Sequence, residues 1–368
     1  MLTKADEYPI HQRPEPVAYS GTDPNFYDRY FFNGYAADGD GFLAVALGVY
    51  PHLNVMDAAF VVSRHGVQHN LRASRELGME RMDTTVGPIR VDVVEPLHAL
   101  RVRVDDAKRG IRADLLFRSR APALEEPRFT YRAGPRTVMD YTRMTQNGTW
   151  EGWISVGEDR IELDPARWFG TRDRSWGIRP VGGQDPRPVV PPRPPQFYWL
   201  WSPLNFDDCI TLFHVNADAD GTPWNSHALL CPLGEEAAPR AMREGRAEID
   251  FRSGTRHARR ATLHFEDPDG GRTTIELEPR YHFYMSGAGY LHPEWGHGMY
   301  RGELDVDYDR YVLEEVPENE QLYLHVQAFV RARMRGALGD RDGCGVLEQL
   351  IVGPHAPSGF TDILDPAP

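Results

Sequence analysis

The run Trp150-Glu-Gly-Trp-Ile-Ser-Val156, the triplet Gly157-Glu-Asp159 and the run Arg160-Ile-Glu-Leu-Asp164 read together as a β-hairpin. Apolar residues recur at strand spacing on either side of a connection of hairpin length. The same period extends outward in both directions. Upstream lie Phe42 to Val49, Ala58 to Val62, Ile89 to Val94, Leu100 to Val104 and Ile111 to Phe117. Downstream lie Phe197 to Leu204, Cys209 to Val215, His227 to Cys231, Ala247 to Phe251, Ala261 to Phe265, Thr273 to Leu277, Gly302 to Val306, Leu322 to Val330 and Cys344 to Val352. Asp267-Pro-Asp-Gly-Gly271 supplies another tight turn. Helical signals reduce to two short segments, Pro127 to Pro135 and Glu235 to Glu244. The expected fold class is therefore all-β, with two consecutive antiparallel barrels or sandwiches.

Composition points the same way. A chain of 368 residues is long enough for two domains, and 34 glycines with 30 prolines favour many turns over long helices. Seven of those prolines fall between Pro180 and Pro195, where each removes an N–H and fixes φ. That divides the chain into an N-terminal β domain (1–180), a Pro-rich linker (181–195) and a C-terminal β domain (196–368). The net charge of -13 disfavours nucleic acid and anionic lipid. Neither a signal peptide nor an apolar run of membrane-spanning length is legible, and the three scattered cysteines offer no disulfide framework or CxxC zinc site. A cytoplasmic protein is expected, with a homodimer left open.

Two constellations carry chemistry. Trp168 to Arg179 packs three arginines, Asp173, Trp168 and Trp176 into twelve residues. Such charges are costly to bury unpaired, so Asp173 is expected to be ion-paired, with a lowered pKa that makes it a poor acid at neutral pH. The second is His292-Pro-Glu-Trp-Gly-His297. It reads as an acid/base pair or, alternatively, as metal ligands, although Pro293 and Gly296 leave side-chain directions unfixed by any period. In Phe197 to Ser202, alternation puts Phe197, Trp199 and Trp201 on one face and Tyr198, Leu200 and Ser202 on the other. Both faces are largely apolar, as for a strand between a ligand cavity and a second packed layer. Dinucleotide, P-loop and GxSxG signatures are missing.

The segment Gly170-Thr-Arg-Asp-Arg-Ser-Trp-Gly-Ile-Arg179 resembles the RD(H/R)SWG(x)R segment of the lipocalin-like carotenoid 1,2-hydratase and AttH-like family. That resemblance also brings in kievitone hydratase and the lipocalin-like Diels-Alderases. It implies two calycin-like barrels and a pocket for isoprenoid or polyketide substrates near their junction. Gly289 to Gly298 and Gly353 to Phe360 look like marks of a separate bacterial branch. Carried over, the family's pocket histidine falls on Arg174 and its tryptophan on Trp176. The tyrosine and proton-donating aspartate of the next domain fall on Phe213 and His214. A histidine there suits proton abstraction beside a carbonyl, loss of water from a β-hydroxy carbonyl, or protonation of an activated alkene better than hydration of an isolated alkene.

The expectation is an acid/base hydratase or dehydratase, or an isomerase or cyclase, needing no cofactor or metal and acting on a terpenoid, steroid-like or polyketide molecule. The expected proton carriers are His214, Glu294, His297 and Asp173. Arg174, Trp176, Arg179, Tyr198, Trp199, Phe213, His292 and Trp295 are expected to bind the substrate. The alternatives are a non-catalytic carrier of hydrophobic ligands and a metal-dependent lyase centred on His292 and His297.

Overall fold

The computed structural model describes residues 2–183, 194–234 and 238–368. Among these, the strands form one fourteen-stranded and one nine-stranded sheet, each built of antiparallel pairs. The fold is all-β, as the alternation predicts. The larger sheet runs in the order Leu304–Val312, Val67–Glu76, Val55–Arg64, Phe42–Tyr50, Phe26–Ala36, Trp168–Ile178, Arg136–Val156, Ile111–Ser119, Ala99–Asp106, Ile89–Glu95 and Thr85–Val86. The smaller runs Arg240–Ala241, Pro223–Pro232, Cys209–Ala217, Phe197–Asn205, Arg341–Val352, Val326–Gly336, Arg272–Tyr284, Ala258–Glu266 and Glu244–Phe251. Leu304–Val312 comes from the C-terminal half yet pairs with Val67–Glu76, so the chain crosses back into the first sheet before completing the second. Most of the Pro-rich segment, residues 184–193, lies outside the described residues.

Each sheet curls on itself. Ile89–Glu95 returns against Val55–Arg64 in the first, and Glu244–Phe251 returns against Pro223–Pro232 in the second. Each curl encloses its own apolar core, one around Phe32, Phe117 and Trp150 and the other around Leu200, Phe213 and Phe265. A third apolar layer, including Phe31, Tyr35, Phe42, Trp199, Trp201, Phe283 and Phe329, lies where the two curled sheets meet. The strand Phe197–Asn205 serves both, as its alternation implies: Trp199 and Trp201 face this middle layer while Tyr198 and Leu200 face the second core.

Among the described residues neither short helical signal forms a helix. Phe129–Ala133 is a strand paired with Arg136–Val156, the turn closing at Gly134 with φ 59°. Of the second segment, residues 235–237 lie outside the described residues, and Arg240–Ala241 and the chain from Glu244 onward are extended. The Arg/Trp-rich motif is likewise a central strand, Trp168–Ile178, paired on both sides. Its Gly170 stands beside Gly34 on one neighbour and Gly148 on the other. The space left at Gly34 and Gly170 is taken by Trp150, whose Nε1 donates to Asn33 O at 2.9 Å, and that at Gly148 by Phe117.

Candidate active site

Because Trp168–Ile178 is a strand, its side chains alternate. Asp173 and Ser175 face a cavity of about 710 Å³ between the two sheets, whereas Arg172, Arg174 and Trp176 do not line it. Arg172 reaches Gln146 Oε1 at 2.8 Å, over the ring of Phe117 in the first core. Arg174 pairs with Asp28 and stacks on Tyr30, and Trp176 is 40% exposed. The substrate-binding roles expected of Arg174 and Trp176 are therefore not supported, because the pleat turns both away from the cavity.

One wall of the cavity is apolar: Phe129, Met139, Tyr141, Trp199, Trp201 and Leu350. Three arginines, Arg29, Arg143 and Arg179, line it as well. Arg143 lies over the rings of Trp199 and Trp201, with its guanidinium carbon 4.8 and 5.8 Å from the two centroids. Its fork holds the buried Glu126, with Nε 2.8 Å from Oε2. Burial pushes the Glu126 carboxyl up, but Arg143 and Thr145 outweigh it and hold it below the usual range. Arg29, 2% exposed, donates to Tyr290 OH at 2.6 Å; its Nε and second terminal nitrogen find no acceptor among the described residues. Arg179 stacks on Tyr27 and donates to His297 Nδ1 at 3.0 Å, again with Nε unmatched. Buried donors without acceptors are costly, and here they border a space that can hold a ligand oxygen.

Opposite them, Glu348 on Arg341–Val352 accepts from Trp199 Nε1 at 2.8 Å, His325 Nε2 at 2.9 Å and Gln327 Nε2 at 2.6 Å. These donors hold the carboxyl low despite its burial. The bond to Glu348 places the proton of a neutral His325 on Nε2, leaving Nδ1 as a buried lone pair with no partner among the described residues. His325 lines the cavity. An imidazole aimed by a carboxylate with its other nitrogen free is the arrangement of a general base.

Asp173 behaves contrary to the expectation of a low pKa. Its carboxylate makes no side-chain hydrogen bond or close ion pair among the described residues, and burial raises its pKa to about 6 although Arg143 and Arg29 pull it back. The arginines beside it in sequence point elsewhere. A carboxylic acid half-protonated near pH 6 and facing a cavity is a competent general acid.

The other expected proton carriers lie outside the cavity or, in His297, line it with both ring nitrogens engaged. His214 is fully buried behind Trp199, with Nδ1 3.3 Å from Glu126 Oε2, and burial lowers its pKa to about 4. It does not line the cavity. Glu294 is exposed, its nearest cation being Arg301 at 3.8 Å. His297 lines the cavity, but Nδ1 accepts from Arg179 and Nε2 lies 3.1 Å from Ala288 O, so both nitrogens are committed. Burial and the two neighbouring arginines hold it neutral. It positions Arg179 rather than moving a proton. His292 also borders the cavity, with Nδ1 accepting the backbone N–H of Glu294 and Trp295 at 3.2 and 2.9 Å. With these nitrogens engaged, His292 and His297 form a braced loop rather than the metal pair of the alternative reading.

Of the remaining binding residues, Trp199 and Arg179 line the cavity. Tyr198 stacks on His355, with ring centroids 3.9 Å apart, and Phe213 packs with Phe265, both in the second core. Trp295 is buried beneath Arg301, away from the cavity. The sequence reading missed Arg29, Arg143, Tyr290 and Glu126, and gave no motif for His325 and Glu348. These residues sit on separate strands or loops and meet only through sheet pairing. The available signal was the alternation of the Arg/Trp-rich segment itself, which separates Asp173 from its neighbouring arginines.

No curated protein matches the chain in sequence. Among solved structures, AttH of Nitrosomonas europaea superposes with a TM-score of 0.53 at 12% identity, covering 93% of this chain and 98% of that one. CghA gives 0.53 at 14% identity over 89% and 88% of the two chains, and is also solved with Sch210972. Kievitone hydratase of Nectria haematococca gives 0.43 at 11% identity, covering 95% and 96%. The first two show the same lipocalin-like all-β fold that the Gly170–Arg179 segment implies. Among the described residues no helix is long and apolar enough to cross a membrane. The model of a family of unknown function, DUF8625, matches residues 2–361, and the chain belongs to that family.

Proposed function

We propose that this protein is an acid/base enzyme that adds or removes water, or shifts a proton with ring closure, on a largely apolar molecule bearing a carbonyl or similar oxygen. The cavity between the sheets is its site. The observation that carries this reading is the pairing, in one cavity, of a carboxyl with pKa near 6, Asp173, and a carboxylate-aimed imidazole with a free Nδ1, His325. A volume of about 710 Å³ falls within the range of small-molecule pockets. The aromatic wall suits a terpenoid, steroid-like or polyketide skeleton.

In the dehydration direction, His325 Nδ1 takes a proton from carbon beside the substrate carbonyl. The C–H electron pair moves into an enolate, whose oxygen is held by the free N–H groups of Arg29 and Arg179. The enolate collapses to the conjugated alkene as the C–O bond breaks, and Asp173 gives its proton to the leaving hydroxyl, releasing water. Return of the proton from His325 to Asp173 through solvent restores the enzyme. Hydration is the reverse.

The test is a panel of oxygenated terpenoids, steroids and polyketides screened by native mass spectrometry, followed by incubation of the binders in deuterium oxide. Wild type should incorporate deuterium beside the carbonyl and lose water, His325→Gln should bind without exchanging, and Asp173→Asn should exchange without losing water. Ligands bound by the wild type without exchange or turnover would instead make the protein a carrier.

A further inference from the structure

Away from the cavity, three chain segments bring ligating side chains together. His257 lies just before the strand Ala258–Glu266, His282 lies on Arg272–Tyr284, and Glu318 lies on the crossover from Leu304–Val312 to Val326–Gly336. His257 Nδ1 is 3.5 Å and His282 Nδ1 is 3.6 Å from the same atom, Glu318 Oε1. The two imidazole centroids are 4.8 Å apart. One ligand atom from each residue can be chosen so that all lie within 4.8 Å of one another. His257 is fully buried, yet neither of its ring nitrogens has a hydrogen-bond partner among the described residues, and Nε2 of His282 has none either. A buried ring nitrogen left without a hydrogen bond costs about 1–3 kcal/mol.

We propose that His257, His282 and Glu318 bind one zinc ion, with water as the fourth ligand. Bonds of about 2.0–2.1 Å in a tetrahedron place ligand atoms about 3.4 Å apart, close to the two distances that meet at Glu318 Oε1. Two imidazoles and one carboxylate form a donor set that favours zinc over magnesium or calcium, which prefer oxygen. The carboxylate is already oriented: Tyr284 OH donates to Oε1 at 2.9 Å and Arg252 holds Oε2. A surface cavity of about 360 Å³, lined by His282, Glu318, Tyr284 and Arg252, gives the ion its route and the water its place. The ion ties the crossover to the second sheet. Three residues past Glu318, Gln321 lines the cavity between the sheets, so the zinc fixes part of that wall.

Full-length protein dialysed against EDTA should take up one equivalent of Zn2+ by calorimetric titration, and its melting temperature should rise. His282→Gln and Glu318→Gln, checked for folding by circular dichroism, should weaken that binding by more than the ~10–100-fold usual for losing a supporting residue. Co2+ in place of zinc should give the strong visible absorption of a four-coordinate ion. Absence of uptake, uptake unchanged in both variants, or a weak six-coordinate cobalt spectrum would each overturn the assignment. Should a variant not fold, the wild-type cobalt spectrum decides alone.

Discussion

His325, the residue just before the strand Val326–Gly336, places Nε2 2.9 Å from Oε1 of Glu348 on the neighbouring strand, the oxygen that also accepts Trp199 Nε1. One carboxylate thereby aims the proposed base and fixes an aromatic of the cavity wall. Glu348→Leu would strand three buried donors, those of Trp199, His325 and Gln327, at about 1–3 kcal/mol each. Urea unfolding should show a loss of about 3 kcal/mol or more. His325→Gln should keep most of the stability and cost about 10²–10⁴ in exchange rate.

Asp173 links stability to pH. Its pKa is raised from 3.8 to about 6, so the folded protein binds this proton more tightly than the unfolded chain does. The associated stability is fully present below pH 4, declines as pH rises toward 6, and is gone above it. Asp173→Asn, uncharged throughout, should be more stable than wild type at pH 7.5 by at most about 3 kcal/mol, with the gain vanishing at pH 4. In activity, kcat/KM of the wild type should fall above pH 6 as the acid loses its proton, a limb that Asp173→Asn cannot show. A flat stability difference between pH 4 and 7.5 would remove Asp173 as the titrating group.

The alternation in Phe197 to Ser202 told correctly that Trp199 would face one layer and Leu200 another, because a strand's period is local information. The same rule applied to Arg172, Asp173 and Arg174 would have separated the aspartate from the arginines. Density of charge made Asp173 look ion-paired to its sequence neighbours, when the stretch is a strand in the middle of a sheet and the pleat parts them. The partners Arg29, Arg143, His325 and Glu348 were beyond any local reading. Arg29 and Ser175 are opposed by register, and Arg143 is opposed to Ser175 on the other side. Nothing within either segment announces that pairing. His214 illustrates the opposite error: it matches a family position by sequence, but the strand carries its side chain behind Trp199.

Arg143 should matter to folding before it matters to ligand. Arg143→Met leaves the Glu126 carboxylate buried beside the Thr145 hydroxyl and His214, without the guanidinium that pairs with it. Removing one partner of a buried pair typically costs about 3–5 kcal/mol. Adding Glu126→Gln removes the stranded charge while keeping an acceptor for Thr145. The double variant should therefore recover at least half of the loss in urea unfolding. Strictly additive losses would show that the two side chains are not coupled.

The glycine row beneath the motif gives a test of packing that is independent of chemistry. A Cβ on Gly170 would fall 2.3 Å from Asn33 O and 2.5 Å from Trp150 Nε1, distances no side chain tolerates. Its backbone is ordinary extended strand, so the objection is space rather than torsion. Both obstacles belong to one hydrogen bond, from Trp150 Nε1 to Asn33 O. Relief therefore requires the indole or the neighbouring strand to move. Gly170→Ala should cost at least the ~1–3 kcal/mol of an overpacked core. Among the described residues Gly183→Ala meets no atom within 4 Å and should stay within about 0.5 kcal/mol of wild type. Adding Trp150→Phe to Gly170→Ala vacates the Nε1 position and should make the pair less destabilised than the sum of its singles. Because Gly170 lies three residues before Asp173 on the same strand, displacement there should also shift Asp173 within the cavity. Loss of ligand binding in folded Gly170→Ala would register that shift.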